Sequence, residues 1–382
     1  MVKHIILIEL MELPKHLQLA FLKYFIYCFL QIVGIFEDMK KYLFILLVLN
    51  IWGCSSKKPT KIKNSFDDPS QMRIGYGSCL SQDKPMPIFN AIKSENFDLF
   101  LMMGDNVYGD SKTESLEELA TAYNRQRQNF SKMKIDFPFE AIWDDHDYGL
   151  NDGGKDYLFK EKSKELFLDF WNISSNDPRR TRSGLYHDVL KDFKGSTIQF
   201  IFLDTRTFRD GLKPTDKKGA AGKERYLPSE DSSFTMLGSE QWRWLRKKME
   251  IPVDYRVIIS SIQFLAIGHG WESWYNLPHE RNRMIDLIDN SNSKHTIILS
   301  GDRHRGGLYQ LKTKQGNLIS EMTSSSLNVS YPNSEEAGPL RIGDTFTEEN
   351  YGAIYLDGVK NTFSVVLKNI DGKVLQSLQL NN

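Results

Sequence analysis

Side chains able to hold a metal ion recur in this sequence directly behind apolar runs. Gly104-Asp105-Asn106-Val107-Tyr108 follows FDLFLMM, Trp143-Asp144-Asp145-His146-Asp147 follows FEAI, and Gly301-Asp302-Arg303-His304 follows HTIILS. Gly77-Ser78-Cys79, Asp204-Thr205-Arg206 and Ser260-Ser261-Ile262-Gln263 close further runs in the same way. Asp144, Asp145, Asp147 and Asp152 repel one another at short range unless solvent, a proton or a cation intervenes. For one cluster alone, a solvated surface loop is a sufficient answer. Recurrence behind successive strands gives another: strand ends sharing a rim bring the acids together, and divalent or trivalent cations make the crowding tolerable.

The elements that would build such a rim are visible as alternation. MRIGYG, FDLFLMM, FEAIW, TIQFIFL, YRVIIS and HTIILS read as strands, and amphipathic segments at 88–93, 115–133, 163–173, 239–249 and 280–289 separate them. Strand-helix alternation predicts an α/β domain with its site at the carboxyl ends of the strands. After His304 the character changes to GLYQLKTKQGNLISEM, YGAIYL and FSVVLKNIDGKVLQSL, a β-rich closing section with an Asp-Gly turn in its last pair. Residues 210–236 are polar and rich in Gly and Lys, a long surface loop able to border a cleft.

Composition supports a globular chain. Of 382 residues, 40% are hydrophobic and 26% charged, which excludes a compositionally disordered protein. Lys+Arg and Asp+Glu both total 49, so no global field draws the chain to nucleic acid or to an anionic membrane.

The N-terminal part reads as an address. Met39-Lys40-Lys41 precedes the apolar run YLFILLVLNIW, then Gly53-Cys54-Ser55-Ser56. A basic start and a run far shorter than the roughly 20 residues of a membrane span describe a secretory signal peptide. Ile-Trp-Gly-Cys resembles the lipobox of bacterial lipoproteins, in which the cysteine, here Cys54, receives the lipid; the alternative is an uncleaved anchor. The expected organisation is an upstream extension over 1–38, a signal over 39–53, a polar tether over 54–71 and one domain over 72–382. Cys79 would then be the sole thiol of the exported body apart from the lipidated one, leaving no intramolecular disulfide.

The ordered set GSC, GDNVY, WDDHD, LDTR and GDRH resembles the alkaline phosphatase D family of the calcineurin-like metallophosphoesterases, and "GLYHD", "GSEQWRWL", "WESWYNLPHER" and "EMTSSSL" support the likeness from about Arg73 to Leu327. The resemblance implies a four-layer α/β/β/α sandwich with a cluster of two or more metals at the strand ends. It makes Asp105 a carboxylate bridging two metals, Tyr108 a phenolate ligand to ferric iron as in the related purple acid phosphatases, and Cys79 a thiolate ligand. Asp145 stands where the superfamily has asparagine and becomes a ligand to the second metal. His146 sits near the leaving group, and Asp147 would hold its ring. Asp302 and His304 replace two histidines as ligands, while Gln263 falls where another histidine is frequent. Asn151 would add an oxygen ligand or touch phosphate, and Arg206 would bind phosphate oxygens.

Each role has a plainer rival. Cys79 could be a small core residue, Tyr108 a strand-end aromatic and Arg206 one half of a salt bridge. His187 and His269 lack a ligand context and are expected to be structural.

The function implied is metal-dependent hydrolysis of phosphate esters outside the cytoplasm, in the periplasm or at the cell surface, with ferric iron and calcium as cofactors. The expected partners are the phosphate-ester substrate and, through Cys54, a membrane; neither a protein partner nor nucleic acid beyond a substrate is expected. The alternatives are a phosphodiesterase of phospholipid or cell-wall polymer, and a catalytically silent binding lipoprotein on the same fold.

Overall fold

The computed structural model describes residues 71–381 apart from 332–337, 359 and 361. The expected extension and signal segment, Cys54 and nearly all of the expected tether lie outside the described residues. No helix among the described residues is long and apolar enough to cross a membrane.

Strands β1 (Gln71–Gly77), β2 (Leu99–Met103) and β3 (Phe139–Ile142) are parallel neighbours. They are joined through the helices Ile88–Ser94 and Glu117–Met133. Every residue of Leu99–Met103 is buried, as a strand covered on both faces requires. The next pair is β4 (His187–Phe193) and β5 (Ser196–Phe202), followed by the two-residue ladder of β6 (Lys213–Pro214) with β7 (Tyr226–Leu227). Strands β8 (Val253–Ser260) and β9 (Ser293–Ser300) continue parallel to β5, across the helices Gly238–Met249 and Pro278–Asp289.

The closing section is divided between two sheets. β10 (Gly306–Lys312), β11 (Leu318–Ser324) and β12 (Arg341–Phe346) complete the seven-stranded sheet β12-β10-β11-β9-β8-β5-β4. β13 (Asn350–Asp357), β14 (Thr362–Asn369) and β15 (Val374–Asn381) complete the six-stranded sheet β15-β14-β13-β1-β2-β3.

Period-two alternation decides which side chains join the sheets. Phe200 and Phe202 of β5 pack in the cluster that holds Tyr76, Met102 and Val365 of the other sheet, whereas Ile201 packs with Trp242 and Leu245 of a helix. The rings of Tyr255 (β8) and Phe363 (β14) stack with centroids 4.4 Å apart, tying one sheet to the other. Helix, sheet, sheet and helix therefore lie in the four layers expected. Within the first sheet, Tyr76 stands opposite Gly352, where a β carbon would come within 1.9 Å of its ring. Only glycine lets the Tyr76 hydroxyl reach the Val366 carbonyl, 3.2 Å away.

Strands β4 and β12 carry little hydrophobic signal. Both are sheet edges, and HDVLKDF and RIGDTF expose charged residues there, the usual protection of an unpaired edge.

Glu95, just past the helix Ile88–Ser94, fastens that helix to the sheet. Its carboxylate accepts the hydroxyls of Tyr351 (3.0 Å) and Tyr355 (2.7 Å) and pairs with Lys368 Nζ (2.5 Å). Burial raises its pKa, but the bonds from Lys368, Tyr355 and Tyr351 outweigh burial and hold it below the usual value. A carboxylate with a depressed folded pKa stabilises the fold above the unfolded pKa of about 4.3. That contribution is lost as pH falls through the lower folded value. Glu95→Gln should cost about 1–3 kcal/mol at pH 7 in urea titration, with the gap from wild type closing in acid.

Candidate metal centre

The parallel strands deliver their ligands through unusual backbone. Cys79 (φ 60°), Asp105 (φ 48°), Asp302 (φ 67°) and His304 (φ 53°) all take left-handed conformations, each costing about 1–3 kcal/mol for a residue with a β carbon. Neighbouring chain holds them there. Leu80 N–H donates to the Asp105 carbonyl (2.9 Å), Leu327 N–H to the Ser78 carbonyl (3.0 Å) and His304 N–H to Ser325 Oγ (2.8 Å). Gly104 (φ 105°) is obligatory, because a β carbon there would lie 2.4 Å from that of Asp144.

These turns assemble overlapping groups whose potential ligand atoms lie within 4.8 Å of one another: Cys79, Asp105 and His304; Asp105, Asp145 and His146; Asp144, Asp145 and Asp302; and Asp145, Asp152 and Glu272. Asp105 Oδ2 lies 3.4 Å from Cys79 Sγ and 3.3 Å from the Tyr108 hydroxyl. His304 Nδ1 lies 2.7 Å from the Val329 carbonyl, which can only accept, so the hydrogen sits on Nδ1 and the Nε2 lone pair remains for a ligand role.

Charge makes the same point. Burial, with Asp145, Asp144 and Asp147 nearby, pushes the Asp105 carboxyl far above the usual range, and burial beside Asp144 and Asp145 does the same to Asp302. Burial raises Asp144 to about 7 even against Arg206, and raises Asp147 to about 8. Asp145 alone is lowered: His146, Arg206 and the Asp152 N–H, which donates to it over 2.7 Å, outweigh its burial. Burial would lower His146, but Asp145, Asp105 and Asp110 push it up to about 11. The Cys79 thiol is raised by burial and by Asp105.

Carboxyls packed this closely cannot all ionise without countercharge, and buried Asp144 Oδ2 and Asn106 Oδ1 have no hydrogen-bond partner among the described residues. An oxygen-rich set with two imidazoles, one phenol and one thiol fits hard cations, which would also deprotonate the thiol.

The expected residues are brought together, with two corrections. Asp147 does not hold the His146 ring: it is fully buried, accepts Asp144 N–H (2.6 Å) as part of a capping box and is bonded by Asn106. The ring is held by Asp110, 2.5 Å from Nδ1. Arg206 does not face substrate either. It is fully buried, with Asp144 at 2.5 Å and Glu272 at 2.7 Å, so its charge is consumed in orienting acids of the cluster.

Asp110 and Glu272 were missed because each stands outside a strand-end motif, and Asp152, counted among the crowded acids, was given no individual role; an acid between the tryptophans of WESW was the sole hint of Glu272. Gln263 turns away to Tyr309 and Thr323. His187 is structural, stacked 4.2 Å from Phe202 and bonded to Glu140.

A cavity of about 690 Å³ opens beside the ligands. Asp145, His146, Asp302 and His304 line it, exposed Asn151 sits at its wall, and Gly219 to Arg225 of the polar 210–236 loop border it as the sequence suggests.

Removing Arg206 leaves Asp144 and Glu272 buried without their shared partner, so Arg206→Met should lose about 3–5 kcal/mol in guanidinium titration. Asn151→Ala should stay within about 0.5 kcal/mol of wild type in the same measurement.

The family model described as PhoD-like phosphatase matches residues 75–355. Alkaline phosphatase D of Bacillus subtilis (strain 168) is 25% identical over 272 residues, covering 61% of this chain and 46% of that protein. The chain thus spans about half the length of that relative. A solved structure of PhoD superposes with a TM-score of 0.60 at 18% identity, over 82% of this chain and 68% of the other. GAP50, described as the anchor in the inner membrane complex of Plasmodium, superposes with a TM-score of 0.55 at 13% identity, over 82% and 89%. At these identities the two structures speak for the fold alone.

Proposed function

This chain belongs to the PhoD-like phosphatase family, and we propose that it hydrolyses phosphate esters at the cluster built on Asp105 and Asp145. The observation that carries the reading is the sharing of carboxylates. Asp105 belongs to two of the ligand groups and Asp145 to three, the arrangement that keeps neighbouring cations close enough to act on one phosphoryl group. Fold by itself does not carry it, since the Plasmodium anchor has the same architecture.

Cys79, Asp105, Tyr108 and His304 would hold ferric iron, whose preference for phenolate and thiolate they meet; Asp144, Asp145 and Asp302 offer the all-oxygen set that suits calcium. When bound, such cations polarise the phosphoryl oxygens and lower the pKa of a water to make the nucleophile. The protein's own groups do the rest. Asp144 is fixed by Arg206 and by Ser261, whose hydroxyl donates over 2.6 Å, so its orientation is set before substrate arrives. His146 lines the cavity with its ring clamped between Asp110 and the Tyr108 ring, centroids 4.3 Å apart. With Asp105 and Asp145 neutralised, Asp110 remains as the partner that keeps His146 protonated. The imidazolium then gives its proton to the departing ester oxygen as the phosphorus–oxygen bond breaks.

The same proposal makes the protein exported and lipid-anchored through Cys54; its support is the sequence of residues 39–54. The cavity volume favours substrates with an organic group on the phosphorus beyond the leaving one, hence phosphodiesters, although monoesters also fit.

Hydrolysis of bis(p-nitrophenyl) phosphate and p-nitrophenyl phosphate, with and without chelator, tests the reading. Turnover should vanish with chelator, and Asp105→Asn should lose more than the roughly 100-fold typical of an outer-sphere change. Folded, metal-loaded protein inert on both esters would overturn it. Asp110→Asn should lower kcat by about 100-fold on alkyl phosphate esters, which need a proton on the leaving oxygen, and spare p-nitrophenyl esters, which do not. A tyrosinate-to-iron absorption band lost in Tyr108→Phe checks the iron ligand; colourless zinc or manganese protein would remove the iron assignment.

A further inference from the structure

We infer that the cavity carries a second anion subsite, formed by His269, Arg303, Arg305 and Arg225 around Trp271, for a negative group on the part of the ester away from the reacting phosphorus. The inference rests on the proposed hydrolysis and narrows its substrates to esters bearing a second anionic group.

The wall is contiguous. Arg225 lies over the Trp271 ring with its guanidinium 5.0 Å from the centroid, and Arg303 lies 5.1 Å from the same centroid. Trp271 N–H donates to His269 Nδ1 over 3.2 Å, so Nδ1 carries no hydrogen and Nε2 does. That Nε2–H is buried and finds no acceptor among the described residues. Burial, with Arg303 and Arg305 adjacent, keeps the ring neutral well below the usual imidazole range. An uncharged donor among guanidiniums asks for an anion's oxygen and repels a cationic group.

Two acids border this wall, and both are engaged. Glu224 spends its carboxylate on the N–H groups of Gly222 (3.1 Å) and Gly270 (2.6 Å). Asp152 takes Arg225 at 2.6 Å and the Tyr226 hydroxyl at 2.7 Å, and its place in a ligand group with Asp145 joins the basic wall to the metal centre. A single phosphoryl group leaves most of a cavity of about 690 Å³ for the rest of the substrate. Guanidiniums present planar paired donors that match carboxylate or phosphate oxygens.

The test uses three p-nitrophenyl phosphodiesters whose second ester group is 2-carboxyethyl, 2-hydroxyethyl or 2-trimethylammonioethyl. Metal-loaded protein should show kcat/KM about tenfold higher for carboxyethyl than for hydroxyethyl, with the cationic ester slowest. In Arg305→Ala and in His269→Ala the carboxyethyl-to-hydroxyethyl ratio should fall towards one. Equal rates in the wild type, or a ratio unchanged in both variants, would overturn the subsite.

Calorimetry reads the same feature without turnover: ethane-1,2-diyl bisphosphate should bind at least about tenfold tighter than 2-hydroxyethyl phosphate, with the preference lost in Arg305→Ala. If no ester is hydrolysed and that preference holds, the hydrolysis reading fails and the subsite stands. If the esters turn over without regard to charge, the subsite fails and hydrolysis stands. If neither preference appears in the wild type, the subsite is rejected whatever the variants do.

Discussion

Mutual repulsion among buried carboxylates governs this molecule. Asp105, Asp144, Asp145 and Asp302 meet where two sheets end, in surroundings that penalise each negative charge. Protons can relieve such a cluster, and so can arginines or cations. Arg206 supplies one positive charge between Asp144 and Glu272, and His146 another beside Asp145 and Asp105, which is fewer than the acids gathered there. The centre is therefore built to be completed by cations, and much of the neighbouring architecture keeps its acids apart from water and close to each other.

Holding that arrangement uses backbone strain and secondary structure together. Parallel strands bring their carboxyl ends to one rim, and left-handed residues then bend the chain so that side chains from different strands converge. Hydrogen bonds crossing between sheets, such as Leu327 N–H to the Ser78 carbonyl, keep the strained turns in register. Stability resides elsewhere, in the continuous aromatic and aliphatic cluster between the sheets and in the helices on their outer faces. A large core can tolerate a centre that destabilises it locally.

The cavity divides its labour by chemistry. At the strand ends, the carboxylates of Asp145 and Asp302 and the His146 ring line it, where the proposed hydrolysis would place the reacting phosphorus. Around Trp271, guanidiniums and His269 line the part where the inferred subsite would receive the rest of the ester. The 210–236 loop contributes Arg225 to this second set, so a segment with little secondary structure of its own borders the pocket where substrate would be chosen.

The sequence by itself determined the alternation of strands and helices, the apolar character of FDLFLMM and its neighbours, and the ligand types that follow each strand. These are local properties, because hydrophobic period and residue order along one strand do not depend on the partner. It was silent on β4 and β12, whose edge positions replace apolar residues by charges. Only the tertiary structure decided which acid holds His146, that Arg206 is buried between Asp144 and Glu272, and that Asp152 and Glu272 join the centre. Asp147 is next to His146 in sequence and Asp110 is not, yet the helix that starts at Asp145 turns Asp147 into its own cap and leaves the ring to a residue from another loop. Such pairings depend on where side chains point after the sheets have packed, which the spacing of residues along one chain does not encode.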